Sequence, residues 1–450
     1  MVDHTIEQGY DLVGTGGIGT VYKPLKKFCS ILKLAKPDVK IVVGGHIVAD
    51  YEFLLNAIPE IDVIVSGEGE ITLSKIVNAI ESGIDLETIP GIVYRHDGCL
   101  VTTKPEKLVT LDELPDIHLD NFNINAYNAK VPDMYLVDEQ AKKLMKKGEK
   151  HILVFLSRGC PFACFFCYRH IKKYRVYSNE KNELYISYLK KKGYSFFVIK
   201  SECLTANKGH LENVCMLAKK YEFYWAIDGR ADQITPESLK MLKKHNCVGI
   251  RFGIESFDQS ILGVMKKKTT PEQNINAINW SFQYGLQTSN ILMLIIGSPG
   301  EDRKTIFNTR KGMWKCFINE DDVICAILNP YPGSPAYSYG IENGYITDKE
   351  LLHEAVGHKS KIVVNFSNIS KRELYVWQQW IVCEGSLSYR LKHRKILLNR
   401  YFFVRWAIFV KAYLLLIKEP LAFGLFNIYL IKGFSYWLKP LKRLKYGELA

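Results

Sequence analysis

Short apolar runs of strand length alternate with helical patterns over two stretches of this chain, and that alternation is what most restricts its fold. In the first stretch Tyr10-Asp-Leu-Val-Gly14, Lys40-Ile-Val-Val-Gly44 and Asp62-Val-Ile-Val-Ser66 read as strands, with helical patterns near 21–35 and 50–58 between them. In the second, residues 152–156, 195–199, 224–227, 248–252 and 291–296 read as strands, and 207–219, 236–245, 271–284 and 304–316 as helices. Pro236 and Pro271 sit at a helix's first turn behind Thr235 and Thr270, residues suited to capping it. Successive β-α units call for parallel sheets covered by helices. The fold class expected is therefore α/β: a partial doubly wound, Rossmann-like domain, followed by a full or partial parallel barrel.

The 450 residues divide on this reading into four parts. Residues 1–105 form the first α/β domain, closed by a hairpin, Gly91–Thr102, turning at Asp97-Gly98. Residues 106–145 are a linker rich in Asp and Asn, 146–365 the barrel, and 366–450 a basic, aromatic helical region.

Three cysteines, Cys160, Cys164 and Cys167, lie in Ser157-Arg-Gly-Cys-Pro-Phe-Ala-Cys-Phe-Phe-Cys-Tyr168 with the spacing C-x3-C-x2-C. Ser157-Arg-Gly-Cys-Pro breaks the preceding strand, so the thiols occupy a loop at a strand's end, where α/β folds place ligands. Three thiolates reach one small metal cluster and leave one iron of a four-iron cluster open, unlike the four-cysteine clusters of electron carriers. A structural zinc site needs four ligands, usually from paired C-x2-C motifs. No second C-x2-C occurs, and His170 falls on the expected next helix. The other eight of the eleven cysteines are scattered, which suits a reducing cytoplasm rather than a disulfide framework. No basic stretch followed by an apolar run opens the sequence, so no signal peptide is expected.

With Phe166 just before the last cysteine, the motif resembles that of the radical S-adenosylmethionine (SAM) enzymes. The resemblance implies a partial (β/α)6 barrel. It also implies a 4Fe-4S cluster on the three cysteines, SAM chelating the open iron, and reductive cleavage of SAM to a 5′-deoxyadenosyl radical. Phe166 and the strand ends then take SAM. Glu202, in Ser201-Glu202, meets the amine where the family carries an acidic pair, and Arg230 faces the carboxylate. Glu255, beside Ser256, accepts the ribose hydroxyls, and Gly297 and Pro299 lie along the adenine and methionine portions. Glu301 also suits a cap for the following helix, and Pro332-Gly-Ser-Pro335 matches a further loop of the subgroup.

Each strand of the first domain ends in a glycine turn. Gly14, Gly16 and Gly19 match G-x-G-x-x-G formally, but a nicotinamide site wants an acid at the end of the next strand. Asp38 precedes that strand and Gly44-Gly45 ends it. Thr15-Gly16-Gly17, Gly44-Gly45 and Gly67-Glu68 instead resemble the loops of the cobalamin-binding domain often fused to radical SAM enzymes, where they flank the slot for the nucleotide tail. The pattern departs from the family in lacking about two strands ahead of Asp11, as a late start would give. It also lacks D-x-H-x-x-G, of which Asp116-Ile-His118 is a chance fragment. A docking domain with an empty slot fits the same residues. With cobalamin, the resemblance implies methylation of an unreactive carbon. Without it, ring closure or rearrangement remains, and a non-catalytic iron–sulfur or zinc protein is the alternative from another class.

The last part contains Tyr401–Ile417, almost wholly apolar but interrupted by Arg405 and Lys411, then Leu421–Ile431, then Lys432, Lys439, Lys442, Arg443 and Lys445. Mid-run charges and short length argue against a spanning helix. Two readings stand: helices packed on the barrel's open side, or basic amphipathic helices lying on a membrane. Much of the net charge of +13 falls after residue 370, and no RNA-binding module is present, so nucleic acid is not expected as a partner. The expected partners are a small-molecule or lipid-like substrate, an electron donor such as flavodoxin or ferredoxin, and a membrane surface. The expected location is the cytoplasm, with a peripheral seat at a membrane.

Overall fold

In the computed structural model, which describes residues 2–116, 118–122, 143, 150–169, 171–318, 322–356, 362–392 and 400–441, the chain gathers into two compact units. The first is built from Met1–Ile117, Phe165–Arg175 and Asn329–Val364, and the second from His118–Cys164, Val176–Leu328 and Asn365–Ala450. Most of the linker expected at 106–145, along with His170, Lys442, Arg443 and Lys445, lies outside the described residues.

The first unit holds a five-stranded sheet in sequence order: β1 (Leu12–Gly16), β2 (Lys40–Gly44), β3 (Val63–Val65), β4 (Ile92–His96) and β5 (Cys99–Thr102). β1, β2 and β3 are parallel, and β4 and β5 add an antiparallel hairpin. Asp97 and Gly98 both take positive φ, 47° and 78°, the pair a tight primed turn needs. Side chains alternate across the sheet. Ile41, Val43 and Ile64 bury one face under Tyr22, Leu25, Cys29 and Leu32 of the helix Tyr22–Ala35. Val42, Val63 and Val65 bury the other under Ile76 and Ala79 of the helix Gly69–Ser82. Both faces being apolar is why these strands read as continuous hydrophobic runs.

The second unit holds six parallel strands, again in sequence order: β6 (Lys150–Val154), β7 (Tyr194–Ile199), β8 (Tyr224–Gly229), β9 (Cys247–Glu255), β10 (Gln287–Ile296) and β11 (Val323–Ile327). The order runs from β6 to β11 without the two pairing, so the sheet is a curled half-barrel. Thr235 and Thr270 cap the helices Pro236–Lys244 and Pro271–Gln283, as their placement predicts.

Of the two readings of the C-terminal region, the structure shows packing on the half-barrel. The helices Lys371–Lys392, Arg400–Leu416 and Pro420–Leu441 send Trp377, Trp380, Phe409 and Phe426 into the same core as Phe252 and Ile296. Arg310, fully buried on the helix Arg303–Met313, grips both oxygens of Glu384 at 2.7 Å each and donates to the Tyr429 carbonyl. Among the described residues no helix is long and apolar enough to cross a membrane.

Candidate cluster and SAM site

The period of two divides the half-barrel strands between their faces. On β7, β8 and β9 the large apolar residues Phe197, Ile199, Trp225, Ile227, Ile250, Phe252 and Ile254 enter the core. Of the intervening positions, Phe196, Val198 and Ala226 are apolar and buried, whereas towards the strand ends Asp228, Arg251 and Gly253 are half-buried and Glu255 is a buried carboxylate. Asp228 and Arg251 are register partners on neighbouring strands, and Arg251 donates to both Asp228 oxygens at 2.7 and 2.9 Å, with Lys200 on the same carboxylate. Burial pushes the Asp228 carboxyl up, but Arg251 and Lys200 hold it below its usual value.

The cysteine loop leaves β6 through Ser157-Arg158 and turns at Gly159, whose φ is 80°. Cys164 is buried, and Cys160 and Cys167 are half-buried. Arg230, directly after β8, aims Nη1 at the Cys164 sulfur, 3.8 Å away. Its fork is engaged with Asp232, through Nε to Oδ1 at 3.0 Å and Nη2 to Oδ2 at 3.2 Å. Cys203, in the loop after β7, lies in hydrogen-bonding reach of Cys160, and that contact together with burial pushes its thiol up.

Glu255 ends β9 in the left-handed region, φ 64°, an uncommon conformation for a residue with a side chain. Its carboxylate folds back over Gly253 and meets Lys267 Nζ at 2.9 Å. A methyl group on Gly253 would collide with both partners, so the glycine makes room for the pair. The Lys267 carbonyl in turn accepts from Arg230 Nη2. Lys267 therefore brings two predicted residues, Arg230 and Glu255, into one network. Sequence reasoning missed it because Met265-Lys-Lys-Lys268 reads as a solvated run. Cys203, Asp228 and Arg251 were missed for a similar reason: their partners lie on other strands or loops.

The remaining predicted residues also sit at strand ends. Glu202, after β7, is exposed, while Ser201 Oγ accepts from the Leu156 amide. Ser256 is buried, its hydroxyl paired with Thr309 at 2.8 Å. Gly297, φ 96°, and Pro299 form the turn after β10. Glu301 does not cap the next helix; Asp302 does, accepting from Thr305 N. Glu301 instead accepts from the Gly297 and Ser298 amides, which closes the turn, and burial raises its carboxyl to about 7. Phe166 lies in the segment Phe165–Arg175, which belongs to the first unit.

Within that unit the predicted cobalamin loops meet one another. The Gly17 amide donates to Gly44 O and the Ile47 amide to Gly17 O. A Cβ on Gly16 would strike the Gly44 carbonyl, and one on Gly45 (φ 81°) would stand 2.9 Å from Gly17 O. Thr15 and Gly16 close β1 beside Val43 and Gly44. Gly67, φ 134°, faces open space, and Glu68 is paired with Arg175.

Three thiols on one loop are the donor set that a four-iron cluster with one open iron takes. Among the described residues no three His, Cys, Asp or Glu side chains gather round a single ion's position, and a four-iron cluster spaces its thiolates more widely than the ligands of one ion, which bind at about 2.0–2.3 Å in zinc sites. The strand ends of the first unit fit a ligand that rests on main chain, because side chains are excluded where the two glycine loops touch.

Comparison with known families matches residues 154–310 to the radical SAM superfamily and residues 1–77 to the B12 binding domain. An uncharacterized methyltransferase of Pyrococcus horikoshii is 28% identical over 344 residues, covering 75% of this chain and 70% of that protein. An anaerobic magnesium-protoporphyrin IX monomethyl ester cyclase of Rubrivivax gelatinosus is 27% identical over 341 residues, 73% of this chain and 58% of the cyclase. Among solved structures, the cobalamin-dependent S-adenosylmethionine radical enzyme OxsB with aqua-cobalamin bound shares the fold, with a TM-score of 0.62 at 17% identity over 94% of this chain and 65% of OxsB. The chain thus spans less than two thirds of the cyclase and of OxsB. With a three-cysteine loop on an open parallel half-barrel and a second α/β sheet ahead of it, the chain carries a radical SAM domain at residues 154–310 and a B12-binding domain at residues 1–77.

Proposed function

We propose that this protein is a radical SAM methyltransferase that uses cobalamin to methylate an unreactive carbon of a small-molecule substrate. One observation carries the reading. Along a single open parallel sheet, a three-thiol loop after β6 is followed by polar or glycine-bearing ends on β7, β8, β9 and β10, in a chain whose first 77 residues match the B12 binding domain. The Pyrococcus relative supports methyl transfer; the cyclase relative supports ring closure as a second reading.

When bound, the cluster and cobalamin would supply the electron that cleaves SAM to a 5′-deoxyadenosyl radical and the methyl group to be transferred. The chain holds and orients. Cys160, Cys164 and Cys167 hold the cluster and leave one iron open. Glu202 accepts from the SAM amine, and Glu255 from the ribose hydroxyls. Ser256, its hydroxyl tied to Thr309, keeps that strand end rigid. Gly297 and Pro299 let the adenine lie on main chain, and Phe166 takes its SAM-binding role from its place in the cysteine motif. Thr15, Gly16, Gly17, Gly44, Gly45, Gly67 and Glu68 line the slot for cobalamin.

The cluster needs an external one-electron donor, of flavodoxin or ferredoxin type, in the cytoplasm. The C-terminal helices carry exposed Phe403, Ile408, Leu414, Leu415, Leu421 and Ile431 beside Lys411, Lys418 and Lys432. That mixture suits an anionic bilayer surface and a lipid-like substrate. Co-sedimentation with anionic vesicles at low salt is expected, and its absence would remove the membrane from the reading.

The test uses anaerobically reconstituted protein with SAM, hydroxocobalamin and a strong reductant, which converts the cobalamin to the cobalt(I) form able to take a methyl group from SAM, and quantifies 5′-deoxyadenosine and S-adenosylhomocysteine. Both are expected, with S-adenosylhomocysteine dependent on cobalamin and deoxyadenosine lost in Cys164→Ala. Deoxyadenosine alone, indifferent to cobalamin, would replace methyl transfer by ring closure or rearrangement.

A further inference from the structure

We propose that Arg230 sets the reduction potential of the cluster through the sulfur of Cys164, an inference that rests on the cluster assignment above. Three groups hold the guanidinium. Asp232 takes the Nε–Nη2 edge, the Lys267 carbonyl takes Nη2 again, and the Phe162 ring lies flat against it with its centroid 3.7 Å from Cζ. Nη1 is left to donate to Cys164 Sγ, 3.8 Å away. Arg230 and Cys164 are both more than nine-tenths removed from solvent, exposed by 6% and 8%, so water screens their interaction little.

Hydrogen bonds to cluster sulfurs, nearby net charge and solvent exclusion set iron–sulfur potentials. A buried cation donating to a cluster thiolate stabilises the state carrying the extra electron and so raises the potential. Reductive cleavage of SAM needs a cluster that its donor can reduce, and a guanidinium on one ligand sulfur serves that end. The planar fork matters: lysine could not satisfy Asp232 with one edge and the sulfur with the other. Engagement with Asp232 also leaves Arg230 poorly placed to receive the SAM carboxylate through its fork, the role its position in the motif series suggests.

The experiment is a dithionite titration of reconstituted protein, followed by the electron paramagnetic resonance of the reduced cluster. Iron content and SAM binding by calorimetry are measured on the same samples. Arg230→Met is expected to keep its iron, bind SAM within about threefold of wild type, and reduce at a more negative midpoint. Because it leaves Asp232 as an unpaired, half-buried charge, R230M/D232N is measured beside it. Its midpoint should also move negative, by less, since the lost anion offsets part of the lost cation. An unchanged midpoint with SAM affinity down tenfold or more would overturn the proposal and make Arg230 a SAM ligand. Loss of iron in both variants would overturn it in favour of a role in assembly. Failure of the wild-type protein to show any reduced-cluster signal would instead overturn the cluster assignment itself.

Discussion

Lys267 Nζ stands 2.9 Å from Glu255 Oε1, and both residues are 5% exposed. A buried pair of this kind adds little net stability, but removing one partner strands the other charge. Lys267→Met should therefore destabilise the protein by about 3–5 kcal/mol in urea denaturation. E255Q/K267M, which leaves no orphan charge, should recover most of that loss while SAM binding stays impaired. Equal instability of the single and double variants would show that the damage comes from packing.

Arg310 and Glu384 join the helix Arg303–Met313 to the helix Lys371–Lys392, with Arg310 ringed by Trp314, Trp377 and Trp380. Glu384→Ala should cost about 3–5 kcal/mol. It should also speed limited proteolysis within residues 371–441, because Arg310 additionally holds the Tyr429 carbonyl. Unchanged proteolysis would mean that the aromatic core alone secures these helices.

Arg175 ties the stretch just past Cys167 to Glu68 and to the Val109 carbonyl. Tyr168, next to Cys167, rests edge-on against His46 at 5.0 Å and abuts Gly333. Glu68→Arg and Arg175→Glu should each lower iron bound on reconstitution several-fold, and the charge-swapped double variant should restore much of it. No rescue by the swap would show that the ion pair does not position the third cysteine.

Burial lowers His353 and His210 to about 4. The unfolded chain takes up those protons near pH 6.5 while the folded protein refuses them, so stability falls as pH drops from 6.5 towards 4. Glu301, raised to about 7, works the other way: its contribution is full below its unfolded value and is lost as pH rises through about 7. His353→Phe, which keeps the stack on Phe53, should flatten the acid loss in thermal melts, and Glu301→Gln should steepen it. Parallel profiles for wild type and both variants would refute these assignments.

Much of the scaffold was legible in the sequence. The strand at 40–44 matches residue for residue, and the others lie within a few residues of their expected places, because a strand buried on both faces is a local apolar run between turn residues. The strand Val323–Ile327 and the helices Gly69–Ser82 and Asn179–Lys191 were not anticipated. The last is polar enough to pass for a solvated loop, and it buries only Asn182, Ile186 and Leu189.

By itself the sequence determined the two α/β sheets, the cysteine loop after the strand at 150–154, and the order in which polar residues follow the strands. Each of these rests on periodicity, turn chemistry or spacing within a short window. Only the tertiary structure decided that Arg230 points at Cys164 with its fork on Asp232, that Glu255 turns back onto Lys267, that Glu68 meets Arg175, and that the C-terminal helices share the half-barrel's core. A charged side chain finds its partner through the packing of segments far apart in the chain, and nothing in its neighbours along the chain encodes which partner that will be.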